Sequence, residues 1–170
     1  NLLFSVSARY KDSDGYVDNA TLGKDQDYSE QTSGRLRLYY TNSRVTADFN
    51  IYGSDWSGGD ITQGISESGL SRLEVFDSEI GKNSREHIGT SFKFDVDFDN
   101  VMLTSITGYN DVKNDVFHDI DKTALPDNIE HFTLDHDTFS QEIRLSSNSD
   151  SKLRWSAGGF YFDEQRALKQ

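Results

Sequence analysis

The stretch that decides the fold is Ile88–Phe98, which reads IGTSFKFDVDF. Every second residue from Ile88 onward is apolar or a threonine, and the residues between them are glycine, serine, lysine or aspartate. A helix would scatter these two sets around its surface. A β-strand instead places them on opposite faces, because successive side chains alternate. The stretch is therefore predicted to be a strand with one apolar and one polar face.

Six further strands are predicted from the same alternation or from a β-rich composition. They lie near Phe4–Lys11, Arg35–Tyr40, Val45–Tyr52, Val101–Val112, Phe139–Leu145 and Leu153–Glu164. In Val101–Val112 the apolar residues fall on both faces, so the orientation of that strand stays open. Many of these stretches approach the roughly 9–11 residues that a tilted membrane strand needs. The fold class predicted is all-β, with antiparallel strands running up and down.

The connections between the strands alternate in length. Long ones are predicted at Asp12–Tyr28, Ser54–Arg85 and Asn114–Asp137, and short ones at Thr41–Arg44, Asp99–Asn100 and Ser147–Ser151. All long connections would then leave one edge of the sheet, as in outer-membrane barrels with short periplasmic turns and long extracellular loops. A soluble β-sandwich would show the same strand alternation, so it remains an alternative.

Composition excludes several classes of protein. The 170 residues carry 17 Lys and Arg against 29 Asp and Glu, a net charge of −12, which argues against a nucleic-acid partner. Mean hydropathy is −0.70, and no apolar run approaches the roughly 18 residues of a transmembrane helix. Cysteine is absent, so a disulfide framework or thiolate metal site is excluded. We expect both chain ends to be cuts within a longer protein.

Four segments, in order along the chain, resemble TonB-dependent outer-membrane receptors. They are ARYKDSDGYVDN at 8–19, LTSITGY at 103–109, FSQEIRLSS at 139–147 and LRWSAGGFYF at 153–162. The resemblance implies a barrel of about twenty-two strands around an N-terminal plug, energised from the inner membrane through TonB. Residues 1–170 would form one partial barrel domain, with the plug and the C-terminal strands elsewhere in the parent protein.

The function expected from this resemblance is active uptake of a scarce nutrient, most simply a ferric siderophore or similar iron complex. Expected partners are outer-membrane lipid, lipopolysaccharide, the TonB system through the plug segment, and the small-molecule ligand. No cofactor is expected. No G-x-S-x-G elbow, phosphate-binding loop or H-E-x-x-H motif is found, so no enzyme is expected. The alternatives are an acidic extracellular β-sandwich that binds carbohydrate or calcium, and a porin-like barrel without a plug.

Two groups of candidate site residues follow from the barrel interpretation. The first comprises charged residues predicted to face the lumen: Arg9, Arg35, Arg37, Asp48, Lys93, Asp95, Asp97, Glu142, Arg144 and Arg154. The second comprises residues predicted to contact ligand from extracellular loops: Trp56, His118, His131 and His136. The competing interpretation for both groups is purely structural: the charged residues would keep the lumen wall hydrated, and the loop residues would keep the loops solvated.

One segment is similar to part of a calcium loop. Asp12–Asp18 has acids at alternate positions before Gly15, but the positions that would begin and end an EF-hand are Tyr10 and Thr21. We therefore predict a polar turn in which Asp and Gly serve backbone geometry. No catalytic or metal-binding residue is assigned.

Overall fold

Seven long antiparallel strands form one continuous sheet. The fold is that of a computed structural model, which describes residues 1–59, 74–148 and 153–170. The strands are β1 (Leu2–Ser13), β2 (Asp18–Asn19), β3 (Lys24–Asp25), β4 (Ser29–Thr41), β5 (Val45–Gly58), β6 (Glu74–Val75), β7 (Lys82–Asp97), β8 (Val101–Asp119), β9 (Ile129–Ser147) and β10 (Ser156–Lys169). The large sheet has the order β1-β4-β5-β7-β8-β9-β10, and β3-β2-β6 form a small second sheet. The all-β, up-and-down antiparallel prediction is thereby confirmed.

The register of the large sheet gathers the apolar residues on one face. One row of directly opposed residues runs across all seven strands as Phe4, Leu38, Phe49, Phe92, Thr107, Gln141 and Tyr161. We call this side the apolar face and the other the polar face. A slip of one residue would exchange the two faces of a strand, so the apolar set fixes the register. The pairing also orients β8: Leu103 and Tyr109 lie on the apolar face, and Ile106 and Val112 on the polar face.

The apolar face is apolar over only part of the strand length. On β8 the apolar rows extend from Val101 to Tyr109. The next rows toward the long connections carry Asp111 opposite Asp137, and Asp55 opposite Glu86. We call the rows level with Val101–Tyr109 the apolar band. Above the apolar band, acids enter the same side of the sheet, beside apolar residues such as Ile88.

The apolar band is not covered by another layer of the described residues. Phe4 is 77% exposed and Ile143 is 51% exposed, although both lie in its central rows. The buried apolar residues among those described are Val17 and Val75, in the small sheet region. None of the described segments is a helix of the length and apolarity needed to cross a membrane. A β-sandwich would place a second sheet on this face, and the described residues do not provide one.

Several predicted boundaries were wrong because strands extend beyond the apolar stretches. The segment Asn114–Asp137, predicted to be a connection, is mostly strand: β8 continues to Asp119 and β9 begins at Ile129. Cross-strand pairing of His and acidic residues holds these ends together. The last strand begins at Ser156 rather than Leu153. The Gly- and Ser-rich part of Ser54–Arg85 and part of Ser147–Ser151 lie outside the described residues.

Candidate functional site

The polar face of the large sheet carries the predicted lumen-facing residues. The register places all of them on this face except Arg154, which precedes β10 and lies on no strand. The prediction that Arg154 belongs to a strand face is therefore wrong. That the other nine face a lumen stays a prediction.

Charged residues of this face form ion pairs within a strand and between neighbouring strands, at the level of the apolar band. Arg37 binds Asp48 with two parallel hydrogen bonds, Nε to Oδ1 at 2.8 Å and Nη2 to Oδ2 at 2.6 Å. Lys93 Nζ lies 3.0 Å from Asp95 Oδ2, and Thr104 Oγ1 donates to the other oxygen at 2.6 Å. Such partly exposed pairs contribute about 0–1 kcal/mol each. Their main consequence here is that Asp48 and Asp95 are neutralised by neighbouring cations.

Farther toward the long connections, the polar face carries cations with neutral partners. Arg35 Nη2 donates to Asn50 Oδ1 at 2.8 Å, and Arg85 Nε donates to Asn114 Oδ1 at 2.8 Å. Arg9 lies on β1 diagonally from Arg35 on the same face. None of the three forms an ion pair with a carboxylate among the described residues. This part of the face therefore carries cations that are not in ion-pair contact with a described carboxylate.

Aromatic residues lie among these cations. Trp56 stands directly opposite Arg85, and Tyr52 directly opposite both Arg35 and Gly89. The Tyr52 ring covers Gly89, where a Cβ would collide with it, and its hydroxyl donates to Asn110 Oδ1 at 2.7 Å. The missing side chain at position 89 thus provides the space in which the tyrosine is held.

The predicted loop contacts lie on strands instead of loops. Trp56 is in β5, His118 in β8, and His131 and His136 in β9. His131 Nε2 lies 2.7 Å from Asp115, His136 Nε2 2.7 Å from Glu164, and His118 Nε2 3.4 Å from Glu130. Their placement in loops was wrong, because the strands continue past the apolar band. A role in ligand contact stays a prediction.

A buried polar cluster links the connections at the same end of the strands, and no sequence pattern indicated it. We call residues 14–28, 74–81 and 119–122 the loop cap. Within it, the buried Asn19 donates from Nδ2 to Gln26 Oε1 at 2.9 Å and to the Asp77 carbonyl at 3.0 Å. Gln26 Nε2 donates to Asp77 Oδ2 at 3.0 Å. The Lys122 ammonium lies 3.4 Å from that same Asp77 oxygen.

Asp119 anchors the loop cap to the end of β8. Its Oδ2 accepts hydrogen bonds from the Ser78 backbone N at 2.9 Å and from Ser78 Oγ at 2.7 Å. Its Oδ1 accepts from Lys122 N at 3.2 Å. Because Asp119 is 1% exposed, losing these donors would leave a buried charge without compensation. Segments distant in sequence are therefore held together by one carboxylate.

The turn predicted at Asp12–Asp18 also belongs to the loop cap. Gly15 has a φ of +99°, and Asp27 Oδ1 accepts hydrogen bonds from the backbone N of Tyr16 and Val17 at 2.8 Å. The backbone role predicted for Gly15 is confirmed, since a side chain is strained at that φ. The carboxylate that holds the turn comes from Asp27, beyond the predicted segment. Among the described residues, no three His, Asp or Glu side chains gather where they would hold one metal ion.

Comparison with known proteins gives one informative similarity. No protein-family model matches the chain, and no curated protein matches its sequence. Among solved structures, the chain is similar to BauA, the ferric preacinetobactin receptor of Acinetobacter baumannii, with a TM-score of 0.73 and 13% sequence identity. The match covers 98% of this chain and 26% of that structure. The fold is thus similar to part of a receptor barrel, and the chain spans about a quarter of the structure it matches.

Proposed function

We propose that this chain is part of the wall of an outer-membrane barrel, in a receptor that takes up a small-molecule iron complex with energy supplied through TonB. The observation that carries the proposal is the apolar band, which is exposed on one face and gives way to acidic residues toward the long connections. The similarity of the fold to part of a ferric siderophore receptor supports the same assignment at a coarser level.

The height of the apolar band supports a membrane location. On β8 it extends from Val101 to Tyr109. At roughly 3.3 Å per residue and a strand tilt near 40°, it rises roughly 20–25 Å, which is close to the apolar belt of outer-membrane barrels. The acidic rows above it would lie outside the hydrocarbon, where charged side chains are solvated.

The two edges of the sheet support a larger barrel. Among the described residues, β1 pairs only with β4, and β10 only with β9, so each strand has one unpaired side. Backbone groups in hydrocarbon need hydrogen-bond partners, and closure with further strands provides them. In that barrel the polar face lines the lumen and the loop cap lies at the extracellular mouth. The role is transport rather than catalysis.

Uptake by cells tests the proposal directly. In a deletion strain of the parent organism grown without iron, we expect uptake of radioactive ferric siderophore to fall to background and to return with the intact gene. It should also fall to background in a strain lacking TonB, because the proposed energy source is then removed. A deletion strain that takes up every ferric complex at the wild-type rate would contradict the proposal.

The matched control is a complemented strain that carries a mild substitution away from the polar face. Arg44 lies in the turn between β4 and β5, and its Nη2 is 3.1 Å from Asp99 Oδ1 in a neighbouring turn. Arg44→Gln should restore uptake fully, since the pair is exposed and distant from the long connections. This control separates loss of transport from effects of expressing a variant barrel.

A further inference from the structure

We infer that the ligand of this receptor is an anion, bound by a group of cations on the polar face above the apolar band. The inference rests on the proposed function and names its substrate class. The cations are Arg9, Lys11, Arg35 and Arg85, and we call them the cationic patch. All four are exposed, and all lie on β1, β4 or β7 near the long connections.

The cationic patch differs from the other cations of this face in its partners. Arg37, Lys93 and Arg166 each contact a carboxylate, at 2.6, 3.0 and 2.5 Å. No member of the cationic patch forms an ion pair with a described carboxylate. Arg35 and Arg85 are oriented by amide oxygens, which fix a guanidinium without neutralising it. Their positive charge therefore remains available to a ligand.

On β1, β4, β5 and β7, the acids at the same level lie on the opposite side of the sheet. Asp12 stands directly opposite Glu30, and Asp55 directly opposite Glu86, both on the side of the apolar face. Carboxylates placed directly opposite each other repel and destabilise a sheet, so cross-strand pairing does not explain why these acids share one side. Across these four strands, a chain of net charge −12 thus presents cations on the polar side and acids on the other at this level. An anion would be repelled by the outer side and attracted to the inner one.

The size of the cationic patch fits a small molecule. Strands lie about 4.8 Å apart, so the three spacings from β1 to β7 span about 14 Å. Within that width, Trp56 stands opposite Arg85 and offers a flat apolar surface beside the charge. Arginine guanidinium groups bind planar anionic oxygens through two parallel hydrogen bonds. Carboxylate and catecholate oxygens of an iron complex match this geometry.

Binding to the intact protein in detergent tests the inference, with two probes that differ in charge. One probe is a trianionic ferric tris-catecholate and the other is a neutral ferric trihydroxamate, and binding is read from quenching of tryptophan fluorescence. We expect the trianionic complex to bind more tightly, and its affinity to fall as ionic strength rises. Arg35→Gln and Arg85→Gln should each weaken its binding roughly tenfold, the loss expected for one hydrogen bond to a charged group.

Two control variants keep the result interpretable. Arg35→Lys retains the charge but loses the paired hydrogen bonds, so it should lose less affinity than Arg35→Gln and keep the dependence on ionic strength, which a purely structural role of the guanidinium would not predict. Arg44→Gln makes the same chemical change as Arg35→Gln, but in the turn between β4 and β5, at the opposite end of the strands. It should leave the affinity for the trianionic complex unchanged. Folding of every variant is checked by its heat-modifiable mobility on a gel.

The outcomes separate the two proposals. Equal binding of both probes, tighter binding of the neutral one, or unchanged affinity in Arg35→Gln and Arg85→Gln would overturn the anionic substrate class while leaving an iron-complex receptor in place. Binding of neither probe, together with unchanged iron uptake in the deletion strain, would overturn the proposed function and the inference with it.

Discussion

An arginine placed at Ile143 should destabilise the protein strongly if the apolar face meets lipid. Ile143 lies on β9 opposite Ser105 and Gly159, in the middle row of the apolar band. A lipid-facing arginine at the bilayer midplane costs about 2–4 kcal/mol, and the cost falls to about 0–1 kcal/mol near the interface. We therefore expect Ile143→Arg to be less stable than Ile143→Ala by about 2–4 kcal/mol.

The matched position is Thr133, ten residues along the same strand and on the same face. Ten residues correspond to roughly 33 Å along the strand, or roughly 25 Å along the membrane normal after tilt. This displacement places Thr133 outside the hydrocarbon. Thr133→Arg should therefore differ from Thr133→Ala by about 0–1 kcal/mol.

The assay is urea denaturation of the intact protein refolded into phospholipid vesicles, followed by tryptophan fluorescence. Comparing each arginine variant with the alanine variant at the same position removes the contribution of the lost native side chain. An equal loss of unfolding free energy for arginine at both positions, or a loss below about 1 kcal/mol at Ile143, would refute the proposed lipid contact. Either result would show that the surroundings of this face do not change from lipid to water along the strand.

Three further predictions concern the upper part of the fold. Gly89→Ala should displace the Tyr52 ring that covers position 89 and cost about 1–3 kcal/mol, measured in the same denaturation assay, and an unchanged stability would contradict that packing. Asp119→Ala should raise the rate of hydrogen exchange in residues 74–80 and in residues 16–27 together, because the Asp119 carboxylate anchors the loop cap. A rise confined to residues next to Asp119 would show that the loop cap does not move as one unit. In the connection 120–128, a hydrogen bond that protonated Asp127 donates to the Asp121 carboxylate raises the pKa of Asp127, and a hydrogen bond that Thr123 donates to Asp121 lowers the pKa of Asp121. Protonated Asp127 stabilises this connection at low pH, and this effect is lost as pH rises through its pKa. Ionised Asp121 stabilises it at higher pH, and that effect is lost as pH falls through its pKa. Protection of residues 120–128 from hydrogen exchange should therefore peak when the pair holds one proton, and Asp127→Asn should abolish the decline on the alkaline side.

The part of the sheet that carries the apolar band could be predicted from the sequence, because the preference of apolar side chains for an apolar medium dominates there. Where one face meets an apolar medium, alternation is strict, and Ile88–Phe98 shows it most clearly. In β8 the apolar residues fall on both sides, and only pairing with β7 and β9 shows which of them share the apolar face. Local alternation cannot supply information that resides in neighbouring strands.

The strand ends above the apolar band could not be predicted, because in the proposed barrel the surroundings of one face change from apolar to aqueous along the same strand. Above the apolar band Asp111 and Asp137 occupy the apolar side, and Val112 and Leu134 the polar side, so the pattern reads as a loop. His118 and His131 were consequently assigned to loops. Their cross-strand acidic partners became visible only with the register.

The loop cap depends on contacts that no local pattern encodes. Asn19 and Asp77 lie 58 residues apart in sequence and meet through one side-chain amide. Asn and Gln are ordinary residues of polar connections, and nothing in their spacing distinguishes a buried pair from a solvated one. The cationic patch is similar: each cation was visible, but the absence of an ion pair to a described carboxylate required the structure.

The central claim is that the apolar face contacts lipid and the polar face contacts water. This chain contains no cysteine, so once any cysteine elsewhere in the parent protein is replaced by serine, single cysteines at consecutive positions 139–145 of β9 can each carry a spin label without competing sites. In the vesicle-reconstituted intact protein, we expect labels at 139, 141, 143 and 145 to be accessible to oxygen, and labels at 140, 142 and 144 to a water-soluble nickel complex. Accessibility of both faces to the nickel complex, or exclusion of both reagents from the odd positions, would contradict the claim.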